Sequence, residues 1–330
     1  MRHLSAICAL AALVACGGDS RPATAPTSQA PPPPAAPLNW TIGGVVTDTL
    51  SSQPVAGATL AFSSGANLSS SESGGWELQG TGGSVNPTVT LSAAGYITRE
   101  TTIRWDSTGR ADVRLDMVAD RAPFSLDFFR QFVRNGMEEP DNLRALRRWV
   151  RTPNFYLDTR NPKTGGTLLA SEIADIGLAI REAVPQLTGG QFSAGTIDAA
   201  PAPFVRRADF IEVVIVDEPE GDFCADALVG ANPGRIRINY ARCPSPCGAF
   251  APETVAHEVG HAMGFWHTNG NGIMNTDRTR MCNNRQFSEL ERLHARVAYS
   301  RPNGNMDPDR DPSTFLSIET GHPTRVVCKH

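Results

Sequence analysis

Three histidines arranged around a glycine, in the stretch HEVGHAMGFWH at residues 257–267, are the feature that most constrains the fold. His257 and His261 are four residues apart, so a helix places them on the same face. Gly264 comes next, and a residue without a Cβ atom lets the chain leave a helix through a left-handed turn. The chain can then fold back and place His267, three residues further on, close to the first two histidines. The pattern predicts a helix with a sharp end and three imidazoles at one point.

The residues around this motif are typical of a helix that packs on one side. Pro252 suits the first position of a helix, and the acidic Glu253 suits its first turn. At about 100° per residue, the apolar side chains of Val255, Val259 and Ala262 lie roughly opposite the histidines. We therefore expect this stripe to face the core and the imidazoles to face a cleft.

Three imidazoles are a donor set for catalytic zinc, which needs three protein ligands and one open position. We predict that His257, His261 and His267 bind Zn²⁺. Glu258 lies at the flank of the pair, where its carboxylate can take a proton from an attacking water molecule without binding the metal. One alternative is a helix that carries structural histidines. Another is a zinc site made by two histidines and a later acid such as Glu289.

The length of the motif argues against both alternatives. At the residue frequencies of this chain, HExxH arises by chance in roughly one such sequence in a hundred. The added glycine and third histidine lower this to roughly one in 10⁵ by the same count.

A methionine completes a known pattern seven residues after His267, in the sequence Gly272-Ile273-Met274. HExxHxxGxxH followed by such a methionine resembles the metzincin zinc peptidases, and the short gap resembles their matrixin branch. The resemblance implies a zinc-dependent endopeptidase that hydrolyses peptide bonds of proteins or peptides. It implies Glu258 as general base and a tight turn that places Met274 beneath the histidines. Two departures are the lack of a tyrosine shortly after Met274 and the lack of a cysteine-containing propeptide motif.

Residues 120–300 alternate between helical and strand patterns, which predicts an α+β domain. The resemblance makes this a metzincin-like catalytic domain with a mixed twisted sheet, an active-site helix and a Met-turn. Predicted helices cover residues 125–133, residues 141–150, and a segment whose core stripe is Leu169, Ile173, Ile176 and Ile180. Predicted strands cover residues 154–158, 210–216 and 235–240. The last reads as a half-exposed edge strand that is a candidate for pairing with an extended substrate. Ser288 and Glu291 form a capping box that opens a final helix.

Residues 40–118 have a different character, with short β-prone runs separated by Gly, Ser and Asn clusters. This predicts a small all-β sandwich. The phrases GGVVTD, QPVAGATLAF, SGGWEL and LSAAGYITRE resemble the carboxypeptidase regulatory-like domain. The resemblance implies a spacer or binding module, and the segment contains neither His nor Cys.

The two ends of the chain are predicted to lie outside these domains. Residues 1–15 read as a signal peptide that ends at Cys16, in a sequence that resembles a bacterial lipobox. The resemblance implies cleavage before Cys16 and a lipid anchor in the bacterial cell envelope, the outer membrane being favoured over the inner. A plain secretory signal is the alternative. Residues 16–39 form a Pro/Ala-rich tether, and residues 301–330 an irregular polar tail.

Export to an oxidising compartment favours disulfides among the cysteines near the motif. We favour Cys224–Cys243 and Cys247–Cys282, although four cysteines allow three pairings. Two oxygen-rich stretches are candidates for structural Ca²⁺. One comprises Asp217, Glu218, Glu220, Asp222 and Asp226, and the other Asn303, Asn305, Asp307, Asp309 and Asp311.

The charge of the chain bears on its partners. A net charge of -4 without a basic cluster gives no electrostatic basis for binding nucleic acid. The expected partners are a protein or peptide substrate, and the membrane through Cys16. The sequence does not determine the oligomeric state. The alternative function is a zinc-containing surface protein that binds or adheres without cleaving.

Overall fold

A computed structural model describes residues 39–82, 86–103, 109–243 and 247–313. The predicted signal peptide, Cys16 and residues 314–330 lie outside these ranges, and so does all of the predicted tether except Asn39. Among the described residues, no helix combines the length and the apolar character needed to cross a membrane.

The first part of the chain folds into two sheets that enclose an apolar core. Its strands are β1 (Asn39–Asp48), β2 (Thr59–Phe62), β3 (Asn67–Ser69), β4 (Gly75–Thr81), β5 (Thr88–Ser92), β6 (Arg99–Thr102) and β7 (Gly109–Met117). One sheet has the order β4-β1-β7 and the other the order β3-β2-β5-β6. Ile42 and Trp76 from the first sheet and Leu60 and Leu91 from the second lie in the shared core. The alternation of inward apolar and outward polar residues explains why these segments form strands.

The second part combines helices with one five-stranded sheet. Its elements are α1 (Leu126–Arg134), β8 (Asn154–Asp158), α2 (Ala170–Leu187), β9 (Ile197–Ala200), β10 (Phe210–Val216), β11 (Ala225–Ala227), β12 (Gly234–Asn239), α3 (Pro252–Ala262), α4 (Arg278–Cys282) and α5 (Glu289–Tyr299). The strand order is β11-β12-β10-β8-β9. All neighbours run parallel except β11, which is antiparallel to β12. The chain is therefore α+β, as predicted.

Several helix ends follow the local signals in the sequence. Helix α1 begins after Ser125, whose hydroxyl accepts a hydrogen bond from the Phe128 amide. Helix α3 begins with Pro252 at its first position. Helix α5 has the predicted reciprocal capping box, in which Ser288 and Glu291 each bind the other's backbone amide.

The predicted helix at residues 141–150 is wrong, because this segment has no helical structure. Its backbone bonds to other parts of the chain instead. The amide of Arg144 donates to Arg134, and Leu146 exchanges hydrogen bonds with Asn305 and Gly304. These non-local partners replace the bonds that a helix would have made within the segment.

Two further details of the predicted pattern are also wrong. Leu169 is the N-cap of α2 and is 65% exposed, whereas Ile176 and Ile180 of the same predicted stripe are fully buried. The strand predicted at residues 235–240 is β12, which lies between β10 and β11 and is not an edge strand. The edge on this side of the sheet is β11, a strand of three residues that is too short to show an alternation of polar and apolar residues.

Candidate metal centre

The three histidines of the motif converge. His257 and His261 project from α3, and His267 follows after the helix has ended. The Nε2 atom of His261 lies 3.0 Å from Nε2 of His257 and 3.2 Å from Nε2 of His267. All three residues are buried. Among the described residues, they form the one group of three or more potential metal ligands.

The opposite nitrogen of each ring faces an oxygen acceptor. The Nδ1 atom of His257 lies 2.6 Å from the carbonyl oxygen of Ile273, and that of His261 lies 2.8 Å from the carbonyl oxygen of Phe265. Nδ1 of His267 faces a carboxylate. Because carbonyl and ionised carboxylate oxygens only accept, each Nδ1 carries the proton. The neutral rings therefore direct their Nε2 lone pairs towards one another.

This arrangement fits a bound metal cation. Zinc ligands at about 2.0–2.1 Å in a tetrahedron have their nitrogens about 3.3–3.4 Å apart, close to the separations observed. Converging lone pairs repel one another unless a cation lies between them. The residues therefore fit a metal ion held by three imidazoles, as predicted. The identity of the metal as zinc belongs to the proposal below.

The end of α3 directs His267 back to the other two ligands. Gly264 adopts φ +108 and its amide donates to the carbonyl of His261, while the amide of Phe265 donates to that of Gly260. These two bonds define a Schellman motif, in which a glycine ends the helix. A Cβ atom on Gly264 would lie 2.0 Å from the carbonyl oxygen of Arg147. Residue 264 must therefore be glycine for two reasons: its backbone is left-handed, and a Cβ atom would collide with Arg147.

The last carbonyls of α3 receive hydrogen bonds from distant parts of the chain. His261 accepts from the Gly230 amide at 3.0 Å, and Ala262 accepts from the Trp149 indole at 2.8 Å. Met263 accepts from the Tyr299 hydroxyl at 3.0 Å. A helix end leaves carbonyls without partners inside the helix, so these donors allow this end to be buried.

Met274 lies against the ligand helix, as the resemblance implies. A Cβ atom on Gly260 would lie 2.4 Å from the Met274 sulfur, so only glycine at this position permits the contact. The turn itself is held by Glu291, whose carboxylate accepts from the Met274 amide at 2.7 Å and the Ile273 amide at 3.3 Å. A Cβ atom on Gly272 would lie 2.3 Å from that carboxylate. The capping residue of α5 thus also fixes the turn beneath the histidines.

Glu258 is buried and lines a small cavity next to the histidines. The cavity wall also includes Cys224, Thr254, Asn275, Thr276, Arg278 and Met281. Burial raises the pKa of Glu258 well above its usual value. Its role as general base stays a prediction and belongs to the proposal below.

Glu138 was missed by the sequence analysis, although its carboxylate is the acceptor for Nδ1 of His267. It follows α1, 129 residues before its partner, and no spacing rule connects the two. Glu289, the acid of the alternative two-histidine site, is an exposed residue in the first turn of α5 and is not part of the metal-binding group.

Both favoured disulfides are present and lie beside the site. Cys224–Cys243 joins the start of β11 to the segment before α3, and Cys247–Cys282 joins that segment to α4. Cys224 also lines the cavity of Glu258. The second disulfide fastens α4, which follows the turn of Met274, to the start of the ligand helix.

The oxygen-rich stretches considered for calcium bind arginines in this structure. Asp226 pairs with Arg237, and Asp309 and Asp311 pair with Arg301 and Arg99. Within the described ranges, neither stretch brings three carboxylates together.

Comparisons with known proteins give no family for this chain. No family model and no curated protein matches it. Several solved structures match it over about a quarter of its length. Hydroxyquinol 1,2-dioxygenase from Pseudomonas putida DLL-E4 has 13% identity and a TM-score of 0.22 over 25% of this chain and 57% of that one. Catechol 1,2-dioxygenase from Acinetobacter radioresistens has 11% identity and a TM-score of 0.22 over 26% of this chain and 54% of that one. A cohesin–X-dockerin complex from Acetivibrio cellulolyticus has 18% identity and a TM-score of 0.20 over 24% and 58%. The chain spans just over half the length of these matched chains, and likenesses this low carry no argument about the metal centre.

Proposed function

We propose that this protein is a zinc-dependent endopeptidase of the metzincin type, with zinc held by His257, His261 and His267 and Glu258 as general base. The observation that carries the proposal is the convergence of three Nε2 atoms at 3.0 and 3.2 Å beside a buried glutamate. Support also comes from Met274 packed under Gly260, which is the arrangement that the resemblance to metzincins implies.

The residues of the site divide the chemistry between them. A bound zinc ion supplies Lewis acidity, which lowers the pKa of water and polarises a carbonyl group. His257, His261 and His267 would hold the metal. The Glu258 carboxylate takes the proton of the attacking water and delivers it to the leaving amine.

Strand β11 lies at one edge of the sheet and packs against α3, which carries two of the ligands. Its three residues are almost completely buried, so this edge is not accessible to an extended peptide in this structure. The proposal that the substrate is a protein or peptide therefore rests on the resemblance to metzincins.

A pair of isosteric variants tests the proposal. We would purify the full-length protein, measure its zinc content, and follow cleavage of a fluorogenic peptide library. Glu258→Gln should retain zinc and lose about 10²–10⁴-fold in rate, which is the usual contribution of a general base. Glu253→Gln, a change of the same kind in the first turn of the same helix, should retain its rate.

Other results would assign a different function. Stoichiometric zinc with no cleavage of any peptide would favour a zinc-containing binding or adhesion protein. A folded parent without zinc would contradict the metal site itself. Equal rates for Glu258→Gln and the parent would remove Glu258 from the mechanism.

A further inference from the structure

The hydrogen-bond partner of His267 differs in kind from the partners of the other two ligands. His257 and His261 donate to main-chain carbonyl oxygens, which a residue of any type supplies. His267 donates to the side chain of Glu138. His267 is also the ligand that lies outside the helix. Its orientation therefore depends on a specific side chain more than that of the other two.

The loop after α1 brings Glu138 to this position. Helix α1 ends at Asn135, which adopts a left-handed conformation with φ 58. The amide of Glu139 donates to the carbonyl of Asn135, and the amide of Arg144 returns to the carbonyl of Arg134, each at 2.8 Å. The Glu139 carboxylate binds the Arg144 guanidinium across the loop. These contacts fix both sides of Glu138, so its carboxylate is held near His267 by the backbone.

The negative charge of Glu138 suits a residue that contacts a metal ligand. Three neutral imidazoles leave the two positive charges of a divalent ion uncompensated. The Glu138 carboxylate supplies a negative charge on the far side of the His267 ring. A carboxylate that accepts the Nδ1 proton also makes the opposite nitrogen more basic, which strengthens its bond to a metal.

We propose that Glu138 is a positioning residue, which fixes the tautomer and orientation of His267 and thereby strengthens metal binding. The inference rests on the metal site of the proposed function but not on peptide cleavage. Outer partners of this kind typically change metal affinity by about 10–100-fold when they are removed.

The test compares zinc affinities of the full-length protein and its variants, measured by competition with a chromogenic chelator. Glu138→Ala should bind zinc about 10–100-fold more weakly than the parent. Glu138→Gln, which retains an acceptor oxygen but loses the charge, should give an intermediate affinity. Glu182→Gln is the matched control, because this exposed glutamate of α2 contacts neither the loop of Glu138 nor a ligand, and its affinity should equal that of the parent.

A second readout separates positioning from folding. The cobalt(II) form of Glu138→Ala should show a visible absorption spectrum altered from that of the parent, whereas the spectrum of Glu182→Gln should be unchanged. Circular dichroism of the metal-free proteins shows which variants are folded. If Glu138→Ala is not folded, the comparison of Glu138→Gln with the parent decides whether Glu138 positions His267.

Equal zinc affinities and equal cobalt spectra for the parent and folded Glu138 variants would overturn the proposal, as would a parent that binds no metal. A parent that binds zinc but cleaves no peptide would refute the peptidase function alone. The order of affinities would still establish or reject the role of Glu138.

Discussion

At the scale of single residues, three glutamates around the metal centre have different roles because their surroundings differ. Glu258 is buried beside the histidines, and Glu291 is buried against the backbone amides of the turn that contains Met274. The Glu138 side chain is 39% exposed and meets a ligand from outside. A glutamate thus serves as the candidate general base at Glu258, as the acceptor that holds the Met274 turn at Glu291, and as the proposed positioning residue at Glu138.

His294 shows that a buried histidine in this protein need not be a ligand. Its Nδ1 atom lies 2.7 Å from the carbonyl oxygen of Leu290, and its ring stacks on Phe124 at a centroid distance of 4.9 Å. Its Nε2 atom lies 3.0 Å from both the amide nitrogen and the carbonyl oxygen of Ser125. Backbone groups therefore hold both ring nitrogens, and the residue is structural.

We predict that His294 makes the protein less stable in mild acid. Burial lowers the pKa of His294 below its ordinary value of 6.5, although its backbone hydrogen bonds oppose the shift. The unfolded chain therefore binds a proton more readily than the folded one. The resulting contribution to stability is present above about pH 6.5 and is lost as the pH falls through the folded pKa, with a slope of at most about 1.4 kcal/mol per pH unit.

The check is urea unfolding between pH 5 and 7.5 in the presence of EDTA, for the parent and for His294→Gln. The two proteins differ only at residue 294, so the contributions of all other groups are common to both and cancel in the difference. The free energy of unfolding of His294→Gln should vary less with pH. Parallel curves would show that His294 does not cause the acid sensitivity.

At the scale of elements, α3 connects the core to the metal centre. Val255, Val259 and Ala262 are fully buried on one side, and His257 and His261 face the centre on the other. The helix is only 11 residues long, which is marginal for an isolated helix in water. Its stability therefore comes from this buried stripe and from the tertiary hydrogen bonds at its end.

We predict that Gly264→Ala is one of the more damaging single changes near the site. It combines the strain of a left-handed backbone with a contact of 2.0 Å to the carbonyl oxygen of Arg147. The expected cost is about 3 kcal/mol or more in the free energy of unfolding. We also expect weaker zinc binding, because His267 follows the turn directly.

Gly190→Ala provides the matched control for this substitution. Gly190 has φ +79, but a Cβ atom there would meet no atom within 4 Å. The control therefore measures the cost of the left-handed conformation alone, about 1 kcal/mol. Equal denaturation midpoints for the two variants would show that the contact with Arg147 relaxes without cost.

At the scale of the whole molecule, an irregular segment joins the two cores. Arg301 is fully buried and binds Asp309 at 2.8 Å within this segment and Asp116 of β7 at 2.6 Å. Arg99 of β6 binds Asp311 at 2.8 Å. Residues 301–313, predicted as the start of an irregular tail, lack helix and strand but are fixed between the sandwich and the second part. All described residues belong to one compact unit.

We predict that Arg301→Met destabilises the protein by about 3–5 kcal/mol, because it leaves the buried Asp309 without an arginine partner and leaves Asp116 with Arg99 alone. Burial opposes the charge on Arg301, but these two carboxylates outweigh it and raise its pKa. The measurement is the free energy of unfolding in urea at pH 7.5.

Arg296→Met, at an exposed arginine that reaches Leu50 across the same junction, should change stability by less than about 0.5 kcal/mol. If the two variants unfolded at the same urea concentration, the buried cluster would not be what stabilises the junction.

The sequence by itself determined the features that depend on short-range chemistry. The ligand spacing, the proline start and glycine end of α3, the capping box of α5 and strand β10 all follow from residues close together in the chain. Helix propensity, caps and periodicity act over a few residues, so a linear pattern records them.

Only the tertiary structure decided the features that depend on distant partners. It identified Glu138 as the partner of His267, chose the disulfide pairing, and placed β11 at the sheet edge. It also replaced the helix predicted at residues 141–150 with an extended segment bonded to Asn305 and Gly304. These contacts join residues far apart in the chain, and burial and competition between hydrogen-bond partners select them only when the whole chain is folded.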